Sequence, residues 1–197
     1  MLTIKQVKDA VLAKKYVWFE DAANKSYDVN VVSVRTNNKK ITNKFDDFIT
    51  LSFKNEKGEW QFYSWLCTCD PGVYYMKKKL LSSKGCARLK EGQYRGSHHI
   101  GLHQGKYEAV VQQKPVTVYR DANLDDNYDE AKTETGLFGI NIHKGGADSL
   151  EINNWSAGCT VFKRQKDFNE FMLLCKKAKE IHGNSFTYTL ILSDDIK

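Results

Sequence analysis

Two residues in the C-terminal half of the chain have the types and spacing expected of a nucleophile and its base. His143 follows an apolar run, and Cys159 comes after a polar loop, directly behind Gly158. A cysteine attacks only as its thiolate, so it needs a nearby base and N–H groups aimed at the developing oxyanion. Gly158 has no Cβ and permits the tight turn that would expose the thiol together with its amide. We therefore expect His143 to lower the pKa of Cys159 below its ordinary value of about 8.5.

The segment Ser156-Ala157-Gly158-Cys159, with a histidine upstream, resembles the catalytic signature of the L,D-transpeptidase (YkuD-type) family, here in a phage-type relative. The resemblance implies a β-rich domain that transfers or cleaves peptidoglycan stem peptides. It implies Cys159 as the acyl-accepting nucleophile and His143 as its base. Ser156 and Gly158 then belong to the loop that shapes the oxyanion site.

The substrate contacts are less well defined by the pattern. Many members of the family carry an arginine shortly after the cysteine, where this chain has Thr160-Val161-Phe162, and Arg164 is out of register. Asn154 and Trp155 adjoin the loop and are candidate substrate contacts. Trp155 would equally serve as a packing residue. His103, in a glycine- and histidine-rich stretch able to line a cleft, is the third candidate.

The chemistry requires no cofactor, and the sequence leaves its outcome open. An amine acceptor would give transpeptidation, whereas water would give L,D-carboxypeptidase or endopeptidase activity, because the difference lies in what reaches the acyl-enzyme. The competing hypothesis is a non-catalytic structural component of a phage virion that keeps the fold. Cys159 would then be a buried structural thiol, a common role for free cysteine.

An acidic segment has the spacing of a calcium-binding loop. Oxygen ligands stand at its first, third, fifth and ninth positions, as in EF-hand loops, and these are Asp121, Asn123, Asp125 and Asp129. Asp126 occupies the position where glycine is expected, and Lys132 replaces the terminal bidentate acid. The segment is thus either a structural calcium site or a solvated acidic turn.

Composition narrows the choice of partners. The net charge of +6 suits an anionic partner such as the cell wall, although a solvated lysine-rich surface explains it equally well. No nucleic-acid-binding motif is recognisable, so nucleic acid is not an expected partner. Virion proteins are the expected partners under the structural hypothesis.

The N-terminal residues lack the apolar core and cleavage site of a signal peptide, and no apolar run approaches the roughly 20 residues of a membrane span. Five free cysteines then indicate synthesis in a reducing cytoplasm. A phage protein that is released or delivered to the cell wall, or carried in the virion, would reconcile this with action on peptidoglycan.

The sequence patterns around these residues predict an α+β fold that is mostly β, with mixed sheets in a sandwich- or barrel-like arrangement. Capping boxes predict helices over 3–15 and 167–182. Alternating or β-branched runs predict strands at 29–35, 48–53, 60–65 and 186–192, with two short strands around Pro115 within 109–119. A content of 41% hydrophobic residues suffices for one core. We expect a single domain over 1–197, with a helical extension over 1–20 and the main body over 25–197.

Overall fold

The computed structural model describes residues 2–21 and 25–197 of the chain. The described helices are α1 (Ile4–Ala13), α2 (Val73–Lys77) and α3 (Gln165–His182), with a short 3₁₀ turn at Ser193–Asp195. The described strands are β1 (Asn30–Arg35), β2 (Asp47–Lys54), β3 (Trp60–Thr68), β4 (Cys86–Leu89), β5 (Gly92–His103), β6 (Tyr107–Gln112), β7 (Val116–Asp121), β8 (Thr133–Gly136), β9 (Ile142–Lys144), β10 (Thr160–Phe162) and β11 (Phe186–Leu192).

Eight of these strands close into a barrel in the order β1-β11-β5-β6-β9-β10-β3-β2, and β4, β7 and β8 form a separate three-stranded sheet. Two pairs in the barrel are parallel, β1 with β11 and β9 with β10. The prediction of an α+β fold that is mostly β is confirmed. Within the described residues, no helix is long and apolar enough to cross a membrane.

The hairpin β2–β3 illustrates how local sequence sets the barrel wall. Its turn lies at residues 55–58, where Gly58 has a φ of +77°, a backbone conformation that favours glycine. Antiparallel pairing then runs without interruption from Lys54 opposite Trp60 to Asp47 opposite Cys67. Because side chains alternate between the two faces, this register fixes which ones enter the core.

The helix predictions are largely confirmed. Helix α1 has the expected capping box, with the Thr3 hydroxyl accepting from the Gln6 amide. It packs its buried Val7 and Val11 on a cluster with Trp18 and the outer face of the barrel. This attachment holds the N-terminal helix on the main body.

The predicted capping box at the start of α3 is wrong. The helix begins at Gln165, with Arg164 as its N-cap and no side-chain capping bond. The Gln165 amide instead donates to the Ala147 carbonyl at 3.1 Å, so tertiary contact satisfies a donor that a side chain would otherwise cap. The helix ends at the C-cap Gly183, whose φ of +85° favours glycine.

The glycine- and histidine-rich stretch that ends at His103 forms a strand that is not among those predicted from the sequence. Strand β5 pairs with β11 on one side and β6 on the other. His98 is fully buried in it, with its ring bonded to the Ser97 hydroxyl at 2.7 Å and to the Ile140 carbonyl at 2.9 Å. Pairing on both edges of β5 overrides the weak strand propensity of its glycines.

Candidate active site

The parallel pairing of β9 with β10 brings the two predicted catalytic residues to one place. His143 lies opposite Val161, and Thr160 lies opposite Ile142. Cys159 immediately precedes β10, just as Asn141 immediately precedes β9, so Cys159 lies near the start of β9. Both His143 and Cys159 line a cavity of about 430 Å³. Residues far apart in sequence thus share one cleft, as a nucleophile and its base require.

The loop before Cys159 is closed by its own serine. The buried Ser156 hydroxyl donates to the Cys159 carbonyl at 2.8 Å and accepts from the Gly158 amide at 3.1 Å. Gly158 has a φ of +122°, and a Cβ at this position would overlap the Ala87 carbonyl oxygen. The loop therefore requires glycine both for its backbone conformation and for its close approach to β4.

These bonds also decide which amide can stabilise an oxyanion. The Gly158 amide is committed to the Ser156 hydroxyl. The Cys159 amide has no hydrogen-bond partner among the described residues. It is therefore the free donor beside the thiol.

The loop is held from below by the turn that follows β3. The Gly72 amide donates to the Ser156 carbonyl at 2.9 Å, and a Cβ on Gly72 would overlap the Asn153 carbonyl oxygen. Asn43 joins the two segments, since its side-chain oxygen accepts from the amides of Val73 and Asn153. The position of the nucleophile loop thus depends on two other loops.

The Cys159 thiol is protonated in this arrangement. It donates to the Gly139 carbonyl at 3.2 Å and accepts from the Asn141 amide at 3.4 Å. Burial raises the pKa of Cys159 to about 11, while the Asn141 amide acts in the opposite direction. The expected lowering of this pKa by His143 is therefore wrong for the resting site, where the thiol is bonded to backbone rather than to the imidazole.

His143 has the tautomer that a general base needs. Its Nδ1 lies 2.8 Å from the Lys144 carbonyl, and because a carbonyl only accepts, Nδ1 carries the proton. Burial lowers the pKa of His143 to about 4, and the neighbouring His103 adds to the effect. At neutral pH the ring is thus uncharged, with its Nε2 lone pair able to accept a proton.

A second histidine stacks on the first. The His103 and His143 rings lie 4.1 Å apart at an angle of 21°. The Gln112 amide donates to Asn141 Oδ1 at 2.9 Å, so the other end of the Asn141 side chain donates to His103 Nδ1 at 3.0 Å. His103 therefore keeps its proton on Nε2 when neutral. The stacking fixes the orientation of both rings.

The three predicted substrate contacts, Asn154, Trp155 and His103, all line the same cavity. Trp155 is 44% exposed beside the loop. Arg164 does not line the cavity, and its guanidinium lies 3.7 Å from Asp148.

Three residues of the site were missed from the sequence. Tyr107 contacts His143 Nδ1 at 3.4 Å through its hydroxyl, and Arg120 lines the cavity from β7. Asn141 orients His103. Only Asn141 had a usable signal, because it stands two positions before His143 and residues i and i+2 of a strand share a face.

The other four cysteines are buried. Cys67 and Cys69 have their sulfur atoms 3.9 Å apart in the core, and burial raises the pKa of Cys86 to about 12. Burial also raises the pKa of Cys175. Cys159 alone is partly exposed, which makes it the accessible thiol of the chain.

The acidic segment after β7 folds into a compact loop. The Asn123 side-chain nitrogen donates at 3.0 Å to a carboxylate oxygen of Asp125 and to one of Asp129. Asp121 accepts from the Asp129 amide at 2.9 Å. The four predicted ligands are therefore neighbours, with an amide nitrogen between two carboxylates. Across the described residues, no group of three or more His, Cys, Asp or Glu side chains is arranged to hold a metal ion.

The calcium site stays a prediction that one titration checks. Rotation of the Asn123 amide would present its oxygen to a cation held by Asp125 and Asp129. Millimolar Ca²⁺ should then raise the melting temperature, and Asp125→Asn should remove most of that rise. Absence of both binding heat and a shift in the wild-type protein would leave the segment as a solvated acidic turn.

Compared with family models, curated proteins and solved structures, the chain has no significant match. Any assignment of function therefore rests on the residues and geometry of this site.

Proposed function

We propose that the protein is a cysteine peptidyl transferase or peptidase of the L,D-transpeptidase type, acting on peptidoglycan stem peptides. The observation that carries the proposal is the juxtaposition of Cys159 and His143 at one cavity, with the Nδ1 proton of His143 held by the Lys144 carbonyl. This leaves Nε2 as the base. The motif Ser156-x-Gly158-Cys159 is the reason for proposing the L,D-transpeptidase family. A barrel with both parallel and antiparallel strand pairs is compatible with that proposal.

The first step transfers the thiol proton. Substrate entry displaces the Cys159 thiol from the Gly139 carbonyl, and the proton passes to His143 Nε2. The sulfur then attacks the carbonyl carbon of the scissile amide. The Cys159 amide donates to the oxyanion of the tetrahedral intermediate.

Collapse of the intermediate breaks the C–N bond. His143 returns the proton to the departing amine, and the acyl group stays on sulfur as a thioester. An amine acceptor or water then attacks the thioester and gives its proton to His143, and the thiol reforms when His143 returns that proton to sulfur. The scheme uses only side chains and amides of this chain and needs no cofactor.

One observation favours a second candidate, a non-catalytic virion component with the same fold. The thiol is satisfied by two backbone groups, and its raised pKa makes the resting state unreactive. In that case the basic surface and the exposed N-terminal helix face would contact other virion proteins. The segment around Cys159 would then serve packing alone.

Turnover of defined muropeptides separates the two candidates. The protein is incubated with a disaccharide-tetrapeptide, with and without an amine acceptor, and the products are identified by mass spectrometry. The proposal predicts loss of the terminal D-amino acid or its exchange for the acceptor, abolished in Cys159→Ala. Equal inactivity of the wild type and Cys159→Ala, both folded, would favour the virion component.

A further inference from the structure

A second cavity of about 640 Å³ adjoins the one that contains Cys159. The loop at residues 82–85 contributes to both, with Ser83 and Lys84 on the second cavity and Ser82 and Gly85 on the first. Arg120 lines both cavities. The two cavities therefore share this side chain and this loop.

Arg120 is held in place by two of its three guanidinium nitrogens, Nε and Nη1. Its Nε donates to Glu134 at 2.8 Å and its Nη1 to the Gly85 carbonyl at 3.1 Å. Its guanidinium also lies 4.7 Å from the centre of the Phe138 ring. Nη2 has no hydrogen-bond partner within the part of the chain that the structure describes. A planar guanidinium fixed on three sides is preorganised to bind a carboxylate.

The local charge balance favours an anion. Glu134 is shared, since its other oxygen accepts from Lys84 at 2.7 Å, so two cations face one carboxylate. Arg120 carries the only full charge among the described residues that line the Cys159 cavity, because His103 and His143 are neutral at neutral pH. The second cavity as a whole is lined by the cations Lys84, Arg120 and Lys132 and by the carboxylates of Asp129 and Glu134, so a ligand there meets one net positive formal charge.

We propose that the second cavity is a subsite for the part of the acyl donor that bears a free carboxylate, and that Arg120 binds this carboxylate through Nη2. The proposal rests on the proposed function and names its substrate class, a peptide with a free rather than an amidated carboxyl group. Arg120 thereby supplies a charge that Thr160-Val161-Phe162, after the nucleophile, do not.

Binding to the Cys159→Ala protein tests this without turnover. The probes are a disaccharide-tetrapeptide with free carboxylates and the same compound with its carboxyl groups amidated, titrated by calorimetry. We expect at least tenfold tighter binding of the carboxylate form. Arg120→Met should remove this preference, and Glu134→Gln should strengthen it, because the amide oxygen of the new side chain can still accept from Arg120 Nε while the competing carboxylate charge is lost.

Arg95→Met is the matched control, because Arg95 also stacks on an aromatic ring, Phe19 at 5.3 Å, but lies exposed on β5 away from both cavities. It removes the same charge and should leave the preference intact. Equal binding of the two probes to the Arg120-containing protein would overturn the subsite even if the enzyme turns over muropeptides. A clear preference in a protein that proves inactive would keep the subsite and overturn the proposed function.

Discussion

Arg88→Met should destabilise the protein by about 3–5 kcal/mol, the usual cost of removing one partner of a buried ion pair. The Arg88 guanidinium is 2% exposed, and its Nε donates to Asp70 at 2.7 Å. It also donates to Glu130 at 2.7 Å and lies 4.2 Å from the centre of the Tyr128 ring. Its loss would leave the Asp70 carboxylate buried with only the more distant Arg35, at 3.8 Å.

The opposite change, Asp70→Asn, should cost less. Burial raises the pKa of the neighbouring Asp47, and the charge of Asp70 raises it further. Without the charge of Asp70, the Asp47 carboxyl group ionises more readily. Its carboxylate is already stabilised by hydrogen bonds from the amides of Thr36 and Cys69, at 2.7 Å each. Asp47 can thus replace part of the lost negative charge.

Chemical denaturation of the wild type, Arg88→Met and Asp70→Asn measures both effects, and Arg95→Met is the control. Arg95→Met, which removes an exposed guanidinium, should change the free energy of unfolding by no more than about 0.5 kcal/mol. A cost below 1 kcal/mol for Arg88→Met would contradict the account of the buried pair. Because Asp70 begins the turn whose Gly72 amide binds Ser156, Arg88→Met should also disorder the nucleophile loop.

Gly158→Ala should displace Cys159 from its position and destabilise the fold by more than backbone strain alone, which costs about 1–3 kcal/mol. The new Cβ would overlap the Ala87 carbonyl oxygen on β4, and the residue would keep a φ of +122° only under strain. Relief requires the loop to move away from β4. That movement breaks the Ser156 bonds that hold the nucleophile.

Gly58→Ala is the matched control for this prediction. Gly58 also has a positive φ, +77°, but a Cβ there would meet no atom within 4 Å. The Gly58→Ala protein should therefore lose only the stability that backbone strain costs, because the change lies at the tip of the β2–β3 hairpin, away from the candidate site. Equal losses of stability in the two variants, measured by thermal unfolding, would show that the contact with β4 is unimportant.

The sequence indicates which residues meet at the candidate site better than it indicates how they are arranged. Cys159, His143 and Ser156 could be identified because the motif joins rare residue types at short spacing. The parallel pairing of β9 with β10, which aligns them, involves strands of three residues that carry no detectable periodicity. His98 and His103 lie in the same histidine-rich stretch, yet His98 is a fully buried core residue, whereas the His103 ring stacks on that of His143.

Electrostatics was the least predictable level. The direction of the Cys159 pKa shift depends on burial and on which groups the thiol contacts, and neither follows from a neighbouring histidine in sequence. Arg120 likewise enters the site from a strand in a different sheet. Such long-range contacts are determined by the closed packing of the whole chain.

Thiol labelling over a range of pH tests most directly whether Cys159 is a nucleophile served by His143. Brief treatment of the native protein with iodoacetamide, read by peptide mass spectrometry, should label Cys159 first and the buried Cys175 last. Between pH 6 and 8 the wild type should label at least tenfold faster than His143→Ala, because His143 Nε2 acts as a general base that removes the thiol proton as the sulfur attacks the reagent. The difference should shrink as the pH approaches about 11, where the thiol ionises unaided. Labelling of Cys159 only on unfolding, or at equal rates in the two proteins, would contradict the catalytic account.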